Sequence, residues 1–237
     1  YVLGEGLCGV VTVDRLAVIS RFPTFDPGGP RLSDVVSDLS VRAGLDPHNE
    51  IDVEDLVHDF VPGYVISSQG PVRTAVGQLQ ARYAFDAVES DNVVKFVKRG
   101  REPVVTIAAD DLAASTDAQS LPALVDTVRK QEVDLPRKVT VKYMDRDSDY
   151  QQGSQPAIRN IADTEMEMTM DLAIAMTARE AKLAAEVMLF DAWLGREQLT
   201  WHTSRKFVYL EPTDVIIVGG REVRITSKDE SPAGVIK

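Results

Sequence analysis

The chain has 237 residues, of which 44% are hydrophobic and 27% charged, and its formal net charge is −11. That composition supports a buried core under a solvated surface, in one large domain or two ordinary ones. The acidic balance excludes the Lys/Arg footprint that a phosphate backbone or an anionic membrane surface demands, and it also keeps a protein soluble. Cys8 is the single cysteine, so neither an internal disulfide nor a thiolate metal cluster can form. There is no Asn-X-Ser/Thr sequon, no basic-then-apolar signal and no apolar run near bilayer length, which fits synthesis inside a cell. The chain opens at Tyr1 in strand-like sequence and is expected to be an excerpt of a longer polypeptide.

In chain order, Val10 to Ile19 is apolar and β-branched and reads as a strand or two of a preceding segment. Phe22 to Arg31 holds three prolines and two glycines, which break any regular element, so residues 1–30 read as a β end and a connector. Ser33 is placed to cap a helix with Val35, Val36, Leu39 and Ala43 on one face, stopping at Gly44. A short helix near Asp52 turns Val53, Leu56 and Val57 inward. Pro62-Gly63 ends it, and Tyr64 to Ile66 reads as a strand. Pro71 suits a first helical turn, and Val72, Ala75, Val76, Leu79 and Tyr83 recur at helical spacing. Phe85 to Val88, a turn over Glu89 to Asn92, and Val93 to Val97 read as a hairpin. Residues 31–112 are thus expected to form a small α+β module.

Asp110 to Ser120 is polar and Ala-rich and reads as a linker. Beyond it, Val139, Val141 and Tyr143 alternate with Lys138, Thr140 and Lys142. Met166, Met168, Met170 and Leu172 alternate in the same way with Glu165, Glu167, Thr169 and Asp171. Such period-two patterns predict antiparallel strands with one wet face. Thr177-Ala178-Arg179-Glu180 is a capping box. The helix it starts, Ala178 to Arg196, is expected to turn Leu183, Val187, Phe190 and Leu194 inward and to stop at Gly195. A charge at Val187 should then be costly. Strands resume at Leu199, Trp201 and Thr203, then Phe207 to Leu210, and Asp214 to Val218 pairs with Arg221 to Thr226 across a Gly219-Gly220 turn. The expected class is α+β, with a mostly antiparallel β-barrel over 113–237 carrying one packed helix.

No grouping of residues makes a convincing catalytic, cofactor or metal site. Gly4-Glu5-Gly6-Leu7-Cys8-Gly9 matches the dinucleotide fingerprint in letters, but Val10-Val11-Thr12-Val13 favours a strand where the mechanism needs a helix N-terminus. Asp145, Asp147 and Asp149 have the spacing that opens a calcium loop. Tyr150 and Pro156, however, stand where such a loop needs Gly and a bidentate Glu. His48, His58 and His202 are scattered, and Cys8 reads as a small buried residue. Glu54-Asp55 and Asp110-Asp111 read as helix-start or loop charges. The Met166, Met168 and Met170 stripe reads as a strand's core face.

The order of elements resembles a known family. Leu32-Ser33-Asp34-Val35-Val36, Val61-Pro62-Gly63-Tyr64-Val65-Ile66, Arg73-Thr74-Ala75-Val76 and Phe85-Asp86-Ala87-Val88-Glu89 carry the first half of the likeness. Leu135 to Tyr143 with Asp149-Tyr150-Gln151, then Leu210-Glu211-Pro212-Thr213-Asp214-Val215 and Val223-Arg224-Ile225, carry the second. Over residues 31–227 this is similar to phage tail hub and tail-tip proteins, namely the large tail proteins of gene transfer agents and the J-type proteins of siphophages. Thr213 departs from the pattern, since the family's turn commonly has Gly before the Asp.

The resemblance implies a virion structural protein without catalytic residues, in a hub or baseplate that closes the distal end of a tail tube. It implies a homotrimer that contacts tail-tube, distal-tail and tape-measure proteins. DNA would pass through its lumen without specific binding, and the hub would join the tube to host-attachment parts. The alternative is a receptor- or carbohydrate-binding module of the same kind of particle. A nucleotide-dependent enzyme is a third reading, resting on the glycine motif alone.

Overall fold

The computed structural model of the protein describes residues 28–66, 70–115, 122–161, 164–231 and 235–237. The glycine motif Gly4 to Gly9 with Cys8, the run Val10 to Ile19 and the first part of the Pro/Gly connector lie outside the described residues.

The class is mixed α+β. Three α-helices, α1 (Leu32–Arg42), α2 (Val72–Tyr83) and α3 (Ala178–Leu194), accompany strands that form five small sheets. No closed barrel is present among the described residues.

α1 starts two residues earlier than expected. Arg31 is its N-cap, and Ser33 is buried inside the first turn rather than capping it. A two-residue strand β1 (Ile51–Asp52) lies parallel to β3 (Val93–Lys98), which pairs antiparallel with β2 (Phe85–Ser90). The hairpin is tighter than its sequence suggests: only Asp91 and Asn92 turn, both at positive φ, which short amide and carboxylate side chains tolerate. α2 ends at Ala84, held in the left-handed region at φ 54°.

The central sheet has the order β7-β6-β8, with β6 at Lys138–Asp145, β7 at Gln151–Ile158 and β8 at Glu167–Met176. β6 and β7 form the expected antiparallel pair, but β8 runs parallel to β6. The reason is local. The connection after β7 stays at the end where β6 begins, with Arg159 N–H donating to the Arg137 carbonyl and Arg137 N–H to that of Met166. A strand leaving that end must run as β6 does. The inward faces are as the alternation predicts: Val139, Val141, Tyr143 and Leu172 are buried, with Met168 and Met170 packed against them. Met166, at the strand's mouth, is exposed.

β7 is an edge strand, and it is blunted. Pro156 has no N–H to offer, and its carbonyl accepts from Lys182 Nζ at 3.2 Å. Gly153 lies opposite Tyr143, and a Cβ built on it would stand 2.7 Å from the Tyr143 ring, so the ring occupies the space a side chain would need.

α3 packs on this sheet through a different face from the one expected. Leu183, Val187, Phe190 and Leu194 are 55%, 37%, 62% and 64% exposed, while Ala181, Ala184, Ala185, Leu189 and Trp193 are buried. Both stripes obey helical spacing, so periodicity alone cannot choose between them. The sheet decides, because its inward side chains are large and the helix approaches it most closely through Ala181, Ala184 and Ala185, with Leu189 and Trp193 filling the space beyond them. A charge at Val187 therefore stands at the surface instead of in the packing.

The remaining strands are short. β4 (Val105–Ile107) lies parallel to β11 (Val215–Val218), which forms the predicted two-glycine hairpin with β12 (Arg221–Arg224). β5 (Asp126–Arg129) pairs with β9 (Glu197–Thr200), and β10 (Thr203–Ser204) with β13 (Val235–Ile236). The expected strand over Phe207 to Leu210 is a 3-10 turn at Arg205–Phe207 followed by an irregular step. Phe207 and Leu210 are buried while Val208 and Tyr209 are exposed, a spacing of three that belongs to a turn. The described part of the linker expected over Asp110 to Ser120 is anchored: Leu112 bridges Thr203, and Asp111 pairs with Lys206 at 2.8 Å.

Two apolar cores result. The larger joins Leu32, Val36, Leu79 and Phe85 with Val139, Leu172, Ile174, Ala185 and Trp193, so it draws on residues from both sides of position 113. The smaller gathers Ile107, Phe207, Leu210, Ile216, Val218 and Ile225.

Thr213 holds the β11 hairpin's entry at φ 89°, a region that suits glycine and strains a β-branched residue. The turn still closes, with Thr213 N–H on the Ile225 carbonyl at 2.8 Å and Glu211 N–H on Asp214 Oδ2 at 2.9 Å. Replacing Thr213 with Gly should therefore raise stability, by about 1 kcal/mol, read as a higher urea midpoint at unchanged slope.

Candidate assembly surface

The residues weighed as chemistry are spent on local structure. Asp145 accepts from Asp147 N–H at 3.0 Å and from the Ser148 hydroxyl at 3.3 Å, which folds the loop on itself. Asp46 likewise accepts from His48 N–H and from Asn49, and the His48 N–H holds its carboxyl below the usual range. Asp55 pairs with Arg101 at 2.7 Å and receives Lys98 N–H. His48, His58 and His202 sit on three separate segments, the first two exposed. Among the described residues no group of three His, Cys, Asp or Glu could hold a metal ion.

Sequence reasoning missed the links that tie distant segments together. Thr177 Oγ1 accepts from Glu180 N–H as the capping box requires. The Glu180 carboxylate accepts from the Thr177 hydroxyl at 3.1 Å and also pairs with Arg82 at 3.1 Å and Arg146 at 3.4 Å, joining α3 to α2 and to the loop after β6. Arg99 bonds Asp86 at 2.8 Å and Asp191 at 2.7 Å, and Asp86 also pairs with Arg224. That chain of charges joins the β2–β3 hairpin, α3 and β12. The Asp86 bond raises the Arg99 pKa further above its ordinary value. Beside it lies a cleft of about 350 Å³ whose walls include Gly77, Ala81 and Ala84 of α2 and Val187 and Met188 of α3. Trp193 Nε1 donates to the Pro136 carbonyl at 2.9 Å, and Arg159 stacks 4.3 Å over the indole. Apart from Arg99 with Asp86 and the capping box, these contacts join residues 34 to 138 positions apart, and no local pattern announces them.

The outer face of the β6–β8 sheet is the broad polar surface of the fold. Its charges are matched across strands: Lys138 pairs with Glu167 at 3.2 Å, Thr140 stands opposite Thr169, and Lys142 opposite Asp171. Arg137 also reaches Glu165 at 3.8 Å. The face is therefore mixed in sign rather than acidic.

Tyr83 is the clearest perturbed group. Burial pushes its phenol up to about 12, and its hydroxyl donates to the Phe60 carbonyl at 2.8 Å. A raised acid pKa means the folded state keeps a proton that the unfolded chain releases near 10. Its stabilisation is thus complete below pH 10 and is lost as pH rises toward 12. In alkaline unfolding series, Tyr83→Phe should flatten that loss by up to about 3 kcal/mol, relative to its own value at pH 8.

Residues 71–227 match the family described as "Putative phage tail protein", and the chain belongs to that phage tail family. Among solved structures it is similar to a chain of the virion of a native gene transfer agent particle, at 26% identity and a TM-score of 0.75, over 87% of this chain and 46% of that one. It also shares its fold with a tail protein from Neisseria meningitidis, at 13% identity and a TM-score of 0.58, over 88% and 65% of the two chains. A 43 kDa tail protein of prophage MuSo2 from Shewanella oneidensis is alike at 11% identity and a TM-score of 0.57, over 88% and 64%. The chain spans about half the length of the first of these and under two thirds of the others. No curated protein matches it.

Proposed function

We propose that the chain is a structural segment of the hub at the distal end of a phage-like tail, working within the particle and without catalytic residues. The observation that carries this reading is the likeness, over most of the chain, to a component of the gene transfer agent virion. On this reading three copies form a ring around a channel, next to tail-tube, distal-tail and tape-measure proteins, and the ring joins the tube to host-attachment parts. Residues 31–112 and 113–237 are two docked parts of it, the second read as a mostly antiparallel β-barrel. The matched charges on the outer face of the β6–β8 sheet support a lumen role, since a balanced surface neither grips nor strongly repels passing DNA.

The test is a reconstruction of the particle with this protein labelled. Three copies at the distal end of the tube are expected. Any other copy number, or a position away from that end, overturns the hub reading.

A further inference from the structure

Arg159, just past the end of β7, is half-buried, and its guanidinium lies 4.3 Å over the Trp193 ring. Arg196 approaches the same indole at 5.7 Å. The Arg159 Nε is buried without a hydrogen-bond partner, and among the described residues no carboxylate pairs with this side chain. Arg82 has a similarly buried Nε, but it has Glu180 as a counter-charge. The cations around Arg159 are matched as well: Arg137 reaches Glu165 at 3.8 Å, Lys138 reaches Glu167 at 3.2 Å, and Arg196 reaches Glu132 at 3.2 Å. A half-buried guanidinium is costly to hold without an acceptor, and its planar fork matches a carboxylate. One open charge among neutralised ones marks a place for an incoming anion.

The surroundings decide which anion fits. Ile158 and Ile161 are 52% and 85% exposed, so apolar surface stands on either side of Arg159 along the chain. A phosphate backbone fits poorly, because it would meet Glu132, Glu165 and Glu167 beside the matched cations. A carboxylate on an apolar stretch of polypeptide satisfies both the guanidinium and the isoleucines. Arg and Trp side chains are also the ones that carry most of the energy at protein interfaces. A second copy is disfavoured at so small a site, because two chains of net charge −11 repel each other. The platform is set before any partner arrives. Arg159 N–H donates to the Arg137 carbonyl at 2.8 Å, and Trp193 Nε1 donates to that of Pro136 at 2.9 Å.

We propose that Arg159, seated on Trp193, binds an Asp or Glu side chain that another protein presents between apolar residues. The inference goes beyond the hub reading and holds or fails whatever the copy number in a particle. Nuclear magnetic resonance on the nitrogen-labelled whole chain tests it, since the indole N–H signals of Trp193 and Trp201 separate this site from the rest of the fold. The probe is acetyl-Leu-Asp-Leu-amide, with acetyl-Leu-Asn-Leu-amide as its uncharged match. The Asp peptide should shift the Trp193 signal to saturation and bind at least about tenfold more tightly than the Asn peptide. Arg159→Gln should remove that preference. Arg159→Lys keeps the charge without the planar fork; it should weaken the Asp peptide about threefold or more, and it serves if Arg159→Gln fails to fold. No shift in the parent, equal binding of the two peptides, or a preference that survives both substitutions undiminished overturns the proposal. Inorganic phosphate that displaces the Asp peptide at equal concentration overturns it as well, because the site would then take any anion. So does a Trp193 signal that moves with chain concentration alone, since a second copy would then be the occupant.

Discussion

Trp193→Ala will lower the stability of the chain by about 4 kcal/mol, the usual range for emptying a buried aromatic site. The indole is nearly buried at the end of α3, where it satisfies the Pro136 carbonyl and carries Arg159 on its face. Truncation leaves a cavity and an unpaired carbonyl. It also leaves a guanidinium whose Nε is buried without a hydrogen-bond partner and whose stacking surface is gone. Trp193→Phe keeps most of the area and an aromatic face for Arg159 and should lose only about 1–2 kcal/mol, which isolates the hydrogen bond to the Pro136 carbonyl. Urea unfolding measures both. A loss below about 1 kcal/mol for the alanine variant would mean that α3 does not end on the sheet in this way.

Glu180→Ala is expected to cost about 3 kcal/mol, because it strips the counter-charge from Arg82. The Arg82 side chain is 17% exposed, and its Nε is among the buried atoms with no partner, so the guanidinium depends on Glu180 and on its stacking over Tyr83. The double variant Arg82→Met with Glu180→Leu should recover a large part of the loss, since it removes both charges together. By contrast Asp38→Ala, which breaks the fully wet Arg42 pair on α1, should stay within about 0.5 kcal/mol. If Glu180→Ala behaves like Asp38→Ala, the link between α2 and α3 is not structural.

Element positions were legible where local chemistry is strong. The Thr177 capping box located α3 within a residue of its start, Gly219-Gly220 located the last hairpin, and the alternation around Val139 to Tyr143 located both faces of β6. What local chemistry cannot convey is what lies opposite. The row Leu183 to Leu194 looked inward because its side chains are large, yet the helix needed alanines against a sheet already filled by Val141, Tyr143 and Ile174. The wet face of β6 and β8 was legible as well. Its charge balance was not, because the pairing of Lys138 with Glu167 depends on a parallel register that only the 159–166 connection sets. Thr213 was visible as a departure from a family pattern, and only the backbone angle shows that it is a strained one.

The Pro156 and Lys182 arrangement on β7 has a consequence for behaviour in crowded solution. An open sheet edge is a template on which identical chains can stack without limit, giving fibres instead of particles. Here the missing N–H and the occupied carbonyl interrupt that template midway along the strand. Growth by indiscriminate stacking is thereby checked, and only a partner that tolerates the gap can register on the edge. The same substitution that would make β7 a more regular strand, Pro156→Val, would turn a selective edge into an adhesive one.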